Sequence, residues 1–389
     1  MDKQEIKKRA KNIRKIRKKR ILDDLALAKK AGSKKRYLGL IFVFAVFFGL
    51  IIYLLNVEGL YNVVHVITTS DYRWMVAGLA CLIIQWMFET YQIYLPLKKM
   101  YPHLRFTTSI KSNMIGQLFN NITPFSSGGQ PMQAYQLTKV GLKASDTFSA
   151  LMMKFIVYQL SLFTIALVLL AVNFGFFMNT FQNHMGLVAL GCTMNLIATV
   201  FIFVAGIKKS ILIKISIPII KGLSKIKFGK VRIIKDADEK IKDFSKSIEN
   251  FSEQFRRMKS AKKEVIRMYI AAIFQNLFYF SITYMVYRAV GNSAARYIDI
   301  ITVQTYLLLI MSFIPTPGSG LGAEGGFALL FNTIFSKETI NMSILFWRMY
   351  TYYIPILVGT LFFIPSKRKD NAMGKSIDEI EKEMEEQAK

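Results

Sequence analysis

The 389-residue chain has little of what most catalytic and metal centres are made from: two cysteines and three histidines. Cys81 and Cys192 each lie inside an apolar run and read as small core residues rather than a disulfide. His65, His103 and His184 are scattered without ligand spacing, so a zinc site has no basis, and neither metal nor cofactor is expected. No Walker A sequence occurs, which argues against ATP-driven pumping by this chain alone. No Ser/His/Asp or Cys/His set points to nucleophilic catalysis. Gly320-Leu321-Gly322-Ala323-Glu324-Gly325 matches G-x-G-x-x-G, but it follows a proline-broken apolar segment rather than a strand, so a dinucleotide site is not expected. Segments of about ten residues with alternating polarity are missing, which excludes a β-barrel. A cleavable leader is not expected: the first 36 residues are too charged, and no small-residue cleavage site follows the first apolar stretch.

Acidic residues are scarce as well, 25 against 52 Lys and Arg, leaving a net charge of +27. Such a balance can signal nucleic acid. Here the basic residues sit in tails and loops that flank apolar runs, the pattern that orients a membrane protein, so no nucleic-acid partner is expected.

What the chain has in quantity is apolar surface: 52% hydrophobic residues and a mean hydropathy of +0.31. These residues are bunched in runs of about 20, long enough to cross a hydrocarbon core of roughly 30 Å. Six full spans are predicted, at 38–56, 74–96, 148–173, 186–206, 268–290 and 342–364. Loops 57–72 and 174–185 hold no Lys or Arg, whereas 97–105, 139–146 and 207–267 are cationic. That alternation places both termini in the cytoplasm of a bacterial-type inner membrane. The expected organisation is a basic arm (1–37), a first membrane half (38–206), a cytoplasmic loop (207–267), a second half (268–365) and a tail (366–389). The arm, with 16 Lys and Arg, reads as a basic helix on anionic lipid or as a solvated topogenic tail. Within the loop, Ala237, Ile241, Phe244, Ile248, Phe251, Phe255 and Met258 form one apolar stripe, which favours a helix packed beneath the bundle over a coiled-coil partner site.

Two further apolar segments, 107–137 and 300–335, are interrupted. The first is broken at 123–131, which holds Thr123, Pro124, Ser126, Ser127, Gly128, Gly129, Gln130 and Pro131. The second is broken at 315–326, which holds Pro315, Pro317, Gly318, Gly320, Gly322, Glu324, Gly325 and Gly326. Such breaks free backbone groups that lipid cannot satisfy, so they must face protein or a wet cavity. Each segment starts and ends on one side by the charge count, as a re-entrant helical hairpin does. Pairing Pro124 with Pro317 brings Gln130 near Glu324, Lys154 near Arg348 and Gln85 near Gln275. The expected fold is therefore an all-α polytopic membrane protein, six spans plus two re-entrant hairpins, in two inverted repeats (74–173 and 268–364). Two kinked but fully spanning helices are the alternative.

Lys154 and Arg348 lie inside apolar runs, where a cation costs about 2.5–3.5 kcal/mol and calls for an interior partner. Either a lipid phosphate or a nearby carboxylate meets that need. Glu324 is placed to bind an amine or hydroxyl of a head group, or to cap its own helix. Glu89, the other acid within a span, suits pairing with a base. Asn120, Asn121, Thr123, Ser126 and Ser127 crowd the first break with hydrogen-bonding groups, chiefly for its own backbone, and with Gln130 they are candidates to contact a head group.

At 121–137, at 315–326 and at Arg348 followed by Gly359, the sequence resembles the flippase-like transmembrane domain of lysylphosphatidylglycerol synthases, the multiple peptide resistance factor family, and its stand-alone relatives. The resemblance covers about 38–365. It implies translocation of a phospholipid or glycolipid with a modified head group, such as lysylphosphatidylglycerol, and a role in antimicrobial peptide resistance. It departs at Gln130, where the family carries an acid. In bifunctional relatives a separate soluble domain transfers lysine, and the stretch after the last predicted span is too short to hold one. A transporter rather than an enzyme is thus expected. The competing functions are a phosphatidylglycerol lysyltransferase and an ion-coupled small-solute carrier, and self-association is compatible with the sequence.

Overall fold

The computed structural model describes residues 68–363 apart from 125, 209, 211–212, 215–226, 229–230, 233–247, 250–251, 254, 258–259, 312–319 and 338. The predicted first span, the basic arm, Pro315, Pro317, Gly318 and the tail lie outside the described residues.

The described residues are all-helical apart from a two-residue antiparallel ladder, Lys227–Phe228 with Val231–Arg232. In chain order the helices are α1 (Tyr72–Met100), α2 (Phe106–Ile122), α3 (Gly129–Lys139), α4 (Ala144–Val172), α5 (Phe174–Phe181), α6 (Met185–Ile207), α7 (Lys262–Ala289), α8 (Tyr297–Met311), α9 (Gly320–Phe331), α10 (Ile340–Arg348) and α11 (Ile354–Phe363). Among the described residues, four helical stretches are long and apolar enough to cross a membrane: Tyr72–Met100, Ala144–Val172, Phe174–Val204 and Lys262–Ala289. They coincide with four of the predicted spans. The third is longer than expected. Interval 174–185, expected to be a loop between two predicted spans, is helical through α5 and a 3-10 turn at Gln182–His184. Phe177 and Phe181 bury their rings against Tyr306 of α8, and that aromatic contact holds the segment in helical register.

The predicted last span is a composite. Between α10 and α11, Met349–Tyr353 forms a π-helical turn in which Ile354 N–H donates to the carbonyl of Met349, five residues back. Pro355 has no N–H to return to the carbonyl four residues before it, and its ring crowds that position. A widened turn relieves both.

α1 and α7 form the central pair and run antiparallel. Trp74 meets Tyr284 edge-on, Phe88 stacks on Phe274 and Phe278, and Lys99 pairs with Glu264. Each is the first helix of a similar series. The lengths are 29, 17, 11 and 29 residues for α1 to α4. They are 28, 15 and 12 for α7 to α9, followed by the composite α10–α11. The packing is reciprocal: α2 lies on α11 of the other half, and α8 lies on α4. α2 and α3 pack antiparallel as a hairpin, with Gln133 of α3 against Asn113 and the Gly116 backbone of α2. α8 and α9 pack together, Gly326 seated on Leu307 and Met311.

Two positions of the breaks differ from expectation. Gly129, Gln130 and Pro131 form the first turn of α3, and Gly320, Gly322, Gly325 and Gly326 lie within α9. A first-turn proline needs no intrahelical donor, so Pro131 begins a helix rather than breaking one. Of the apolar stripe in 207–267, Ile248 and Phe255 are described and buried, and the Phe255 ring lies edge-on to Phe203 of α6.

One polar corner fixes α1 to α4. The Tyr101 hydroxyl donates to Asp146 Oδ2 at 2.6 Å and accepts from the Lys143 amide at 3.0 Å. Tyr101→Phe leaves the buried carboxylate short of a donor, so a loss of about 2 kcal/mol is expected. A lower melting temperature in detergent, with the oligomeric profile unchanged, checks it.

Candidate functional site

Polar side chains inside the bundle recur at helical spacing. Gln85 and Glu89 share a face of α1; Gln117, Asn120 and Asn121 share one of α2. Lys154 and Tyr158 align on α4, as do Gln275 and Tyr279 on α7. These faces converge on a cavity of about 440 Å³ that Gln304 of α8 and Arg348 of α10 also line. Trp347, Tyr158, Tyr279 and Phe155 supply its aromatic wall.

The charges in it are paired. Lys154 Nζ lies 2.8 Å from Glu89 Oε1, with both side chains largely buried. Glu89 Oε2 accepts from Gln117 Nε2 at 2.6 Å and from Asn113 Nδ2 at 3.3 Å. Arg348 Nε donates to Glu324 Oε1 at 3.1 Å, and its guanidinium lies over the rings of Trp347 and Tyr352. A buried cation with a carboxylate and amide donors around its partner satisfies the demand that depth imposes. Arg348 also sits directly before the π-helical turn, a local irregularity that re-aims side chains.

The first break is closed by its own polar groups. Thr123 Oγ1 donates to the Phe119 carbonyl at 2.6 Å and accepts from the Gly128 amide at 2.8 Å. Asn120 Oδ1 accepts from the Gly129 amide at 3.0 Å. The first amides of α3, which have no intrahelical partner, are thus served from the end of α2. A Cβ at Gly129 would lie 2.0 Å from Asn120 Oδ1, so this cap needs glycine. Ser127 Oγ donates to the Pro124 carbonyl, and Ser126 makes the turn at φ +51°.

Of the residues singled out in the sequence, Glu89, Asn121, Ser126, Gln130, Lys154 and Arg348 line the cavity. Thr123, Ser127, Pro124, Gly128, Gly129 and Pro131 shape the break instead, and Glu324 reaches the cavity through Arg348. Sequence reasoning missed Gln117, Gln133, Gln159, Asn195, Asn276 and Gln304. Neutral amides attract no notice singly. On α2 and α3 the signal is recurrence at three- and four-residue steps, as at Asn113, Gln117, Asn120 and Asn121 and at Gln130 and Gln133; Gln159, Asn195 and Gln304 stand alone and give none.

No curated protein matches the chain in sequence. The model of the family described as the lysylphosphatidylglycerol synthase TM region matches residues 38–359, most of the chain, and the protein belongs to that family.

Proposed function

We propose that the protein moves a lipid with a modified head group between leaflets, the head group crossing through the cavity while the acyl tails stay in the bilayer. The observation that carries this reading is a polar cavity of about 440 Å³ inside a bundle whose outer helix faces expose Leu167, Leu190, Ile197 and Phe201. A polar hollow within an apolar exterior is what the head group of an amphiphile needs in order to cross.

The two helical hairpins are read as re-entrant. At 1.5 Å per residue the arms of 17, 11, 15 and 12 residues reach about 25, 17, 23 and 18 Å, short of a hydrocarbon core of roughly 30 Å. Antiparallel α1 and α7, the matched helix series and the reciprocal packing support an inverted repeat, whose midplane interface is where substrates bind. With the charge distribution of the loops, that repeat keeps both termini cytoplasmic.

Arg348 and Lys154 are assigned to the lipid phosphate, which joins Glu324 and Glu89 around these cations without displacing them. Asn121, Ser126 and Gln130 contact the head group at the mouth. The test is translocation of acyl-labelled lipid by purified protein in liposomes. The Arg348→Ala/Lys154→Ala double variant is expected to slow it about tenfold or more, the scale of losing charge-assisted hydrogen bonds. An unchanged rate overturns the assignment of the two cations; no movement of any lipid overturns the function.

A further inference from the structure

The cavity holds eleven carboxamides and three charged side chains. The three charged groups are Glu89, Lys154 and Arg348, and each is held in an ion pair, Arg348 by Glu324. Glu89 is the one carboxylate lining the cavity among the described residues, and both its oxygens are occupied, by Lys154, Gln117 and Asn113. The undescribed residues of the two breaks, Phe125 and 312–319, carry no acid in sequence. A cationic head group entering here would find no available counter-charge.

The amides are differently placed. Gln85 and Gln130 make no hydrogen bond to another described residue. Gln275 and Gln304 use their oxygens, toward Gln92 and Thr283, and leave their NH2 groups to the cavity. Gln117 and Asn121 use their NH2 groups and leave their oxygens. Trp347 Nε1 and Asn276 Oδ1 are buried without a partner among the described residues. Donors and acceptors thus stand side by side, beside aromatic faces. A hydroxyl group both donates and accepts, and ring C–H groups pack on aromatic faces.

We infer that the head group this cavity selects is an uncharged polyol, a sugar or glycerol, rather than a cationic aminoacyl group. This rests on the translocation reading and narrows it. A phosphate, where the lipid has one, lies toward Arg348 and Lys154, and the hydroxyls lie on the amides. A site built from hydrogen-bonding groups rejects a ligand that leaves them unpaired far more strongly than an apolar pocket rejects a misfit.

The experiment follows four acyl-labelled lipids in liposomes containing the full chain: a monohexosyl diacylglycerol, phosphatidylglycerol, lysylphosphatidylglycerol and phosphatidylcholine. The hexosyl lipid or phosphatidylglycerol is expected to cross about ten times faster than the lysyl lipid or phosphatidylcholine, the scale of one or two hydrogen bonds. The faster of the first two tells sugar from glycerol. Gln85→Leu/Gln304→Leu is expected to remove the preference, and Gln85→Glu to raise the lysyl lipid's rate. A lysyl lipid moving fastest, or all four moving alike, overturns the inference while leaving translocation standing. A flat result for all four removes translocation and the inference with it.

Discussion

Glu89→Ala is expected to destabilise the protein by about 3 kcal/mol, the low end of what stranding one partner of a buried ion pair brings. The low end applies because the pair borders a cavity rather than a dry core. The substitution leaves the Lys154 ammonium without its carboxylate at 2.8 Å and removes the acceptor of Gln117 Nε2. Asn113 keeps the Trp86 carbonyl and Thr90 Oγ1, so the loss concentrates on Lys154 and Gln117. Lys154→Met is expected to harm less, because Glu89 retains two amide donors. The double variant Glu89→Gln/Lys154→Met restores most of the loss, since an uncharged pair of similar size has no ion to desolvate. Melting temperatures in one detergent, ranked wild type, double variant, Lys154→Met and Glu89→Ala, check the series. A double variant no better than Glu89→Ala would show that the attraction between the two charges, not their shape, is what the pair supplies.

That pair also shows what the linear chain reveals and what it hides. Lys154 and Arg348 stood out because a cation in an apolar run is rare, and Glu89 stood out for the same reason. Which acid meets which base did not, because Glu89 and Lys154 are 65 residues apart and join only when α1 packs on α4. The amide lining was hidden for another reason. A single Gln or Asn within a span is compatible with many roles, and only the converging faces of α1, α2, α4, α7 and α8 turn them into a wall. Apolar runs locate the long helices and charge alternation orients them, but neither specifies the conformation between spans, which is why 174–185 proves helical rather than a loop. Glycine clusters misled in a particular way: they mark close approach as often as a break. Gly326 sits inside α9 because Leu307 and Met311 press where its side chain would be.

Together these features explain why the halves need each other. Glu89 and Lys154 belong to the first half, Glu324 and Arg348 to the second, and each pair closes within its half. The amides cross: Gln92 of α1 donates to Gln275 of α7 at 2.7 Å, and Asn276 of α7 to Ser161 of α4 at 2.8 Å. One ion pair also crosses, Lys99 with Glu264, but it is exposed at the helix ends. It and the neutral hydrogen bonds break and re-form at less expense than the buried ion pairs, so the seam between halves is the softer one. Relative motion of the halves, which alternating access requires, would use that seam and leave the buried charged pairs intact.

Gly359→Val is expected to be the most disruptive change outside the cavity. On α11, a Cβ at this position would lie 2.5 Å from the Met114 carbonyl oxygen and 2.7 Å from Leu118 Cβ, both on α2. The first obstacle is backbone and cannot rotate away, so the two helices must part. Small residues at such crossings are what let membrane helices pack without a hydrophobic driving force between them. Overpacking of this kind destabilises by about 1–3 kcal/mol, and valine adds branched bulk at the contact. The consequence reaches the site, because Gln117 and Asn121 flank Leu118 and line the cavity from α2. Displacing α2 draws Gln117 away from Glu89, so melting temperature and lipid translocation are expected to fall together. Gly186→Ala is the control: nothing lies within 4 Å of its added Cβ, and the better helix former should leave both readouts unchanged or slightly improved. A Gly359→Val protein as stable as wild type, with its transport intact, would mean that α2 and α11 do not meet as closely as this crossing requires.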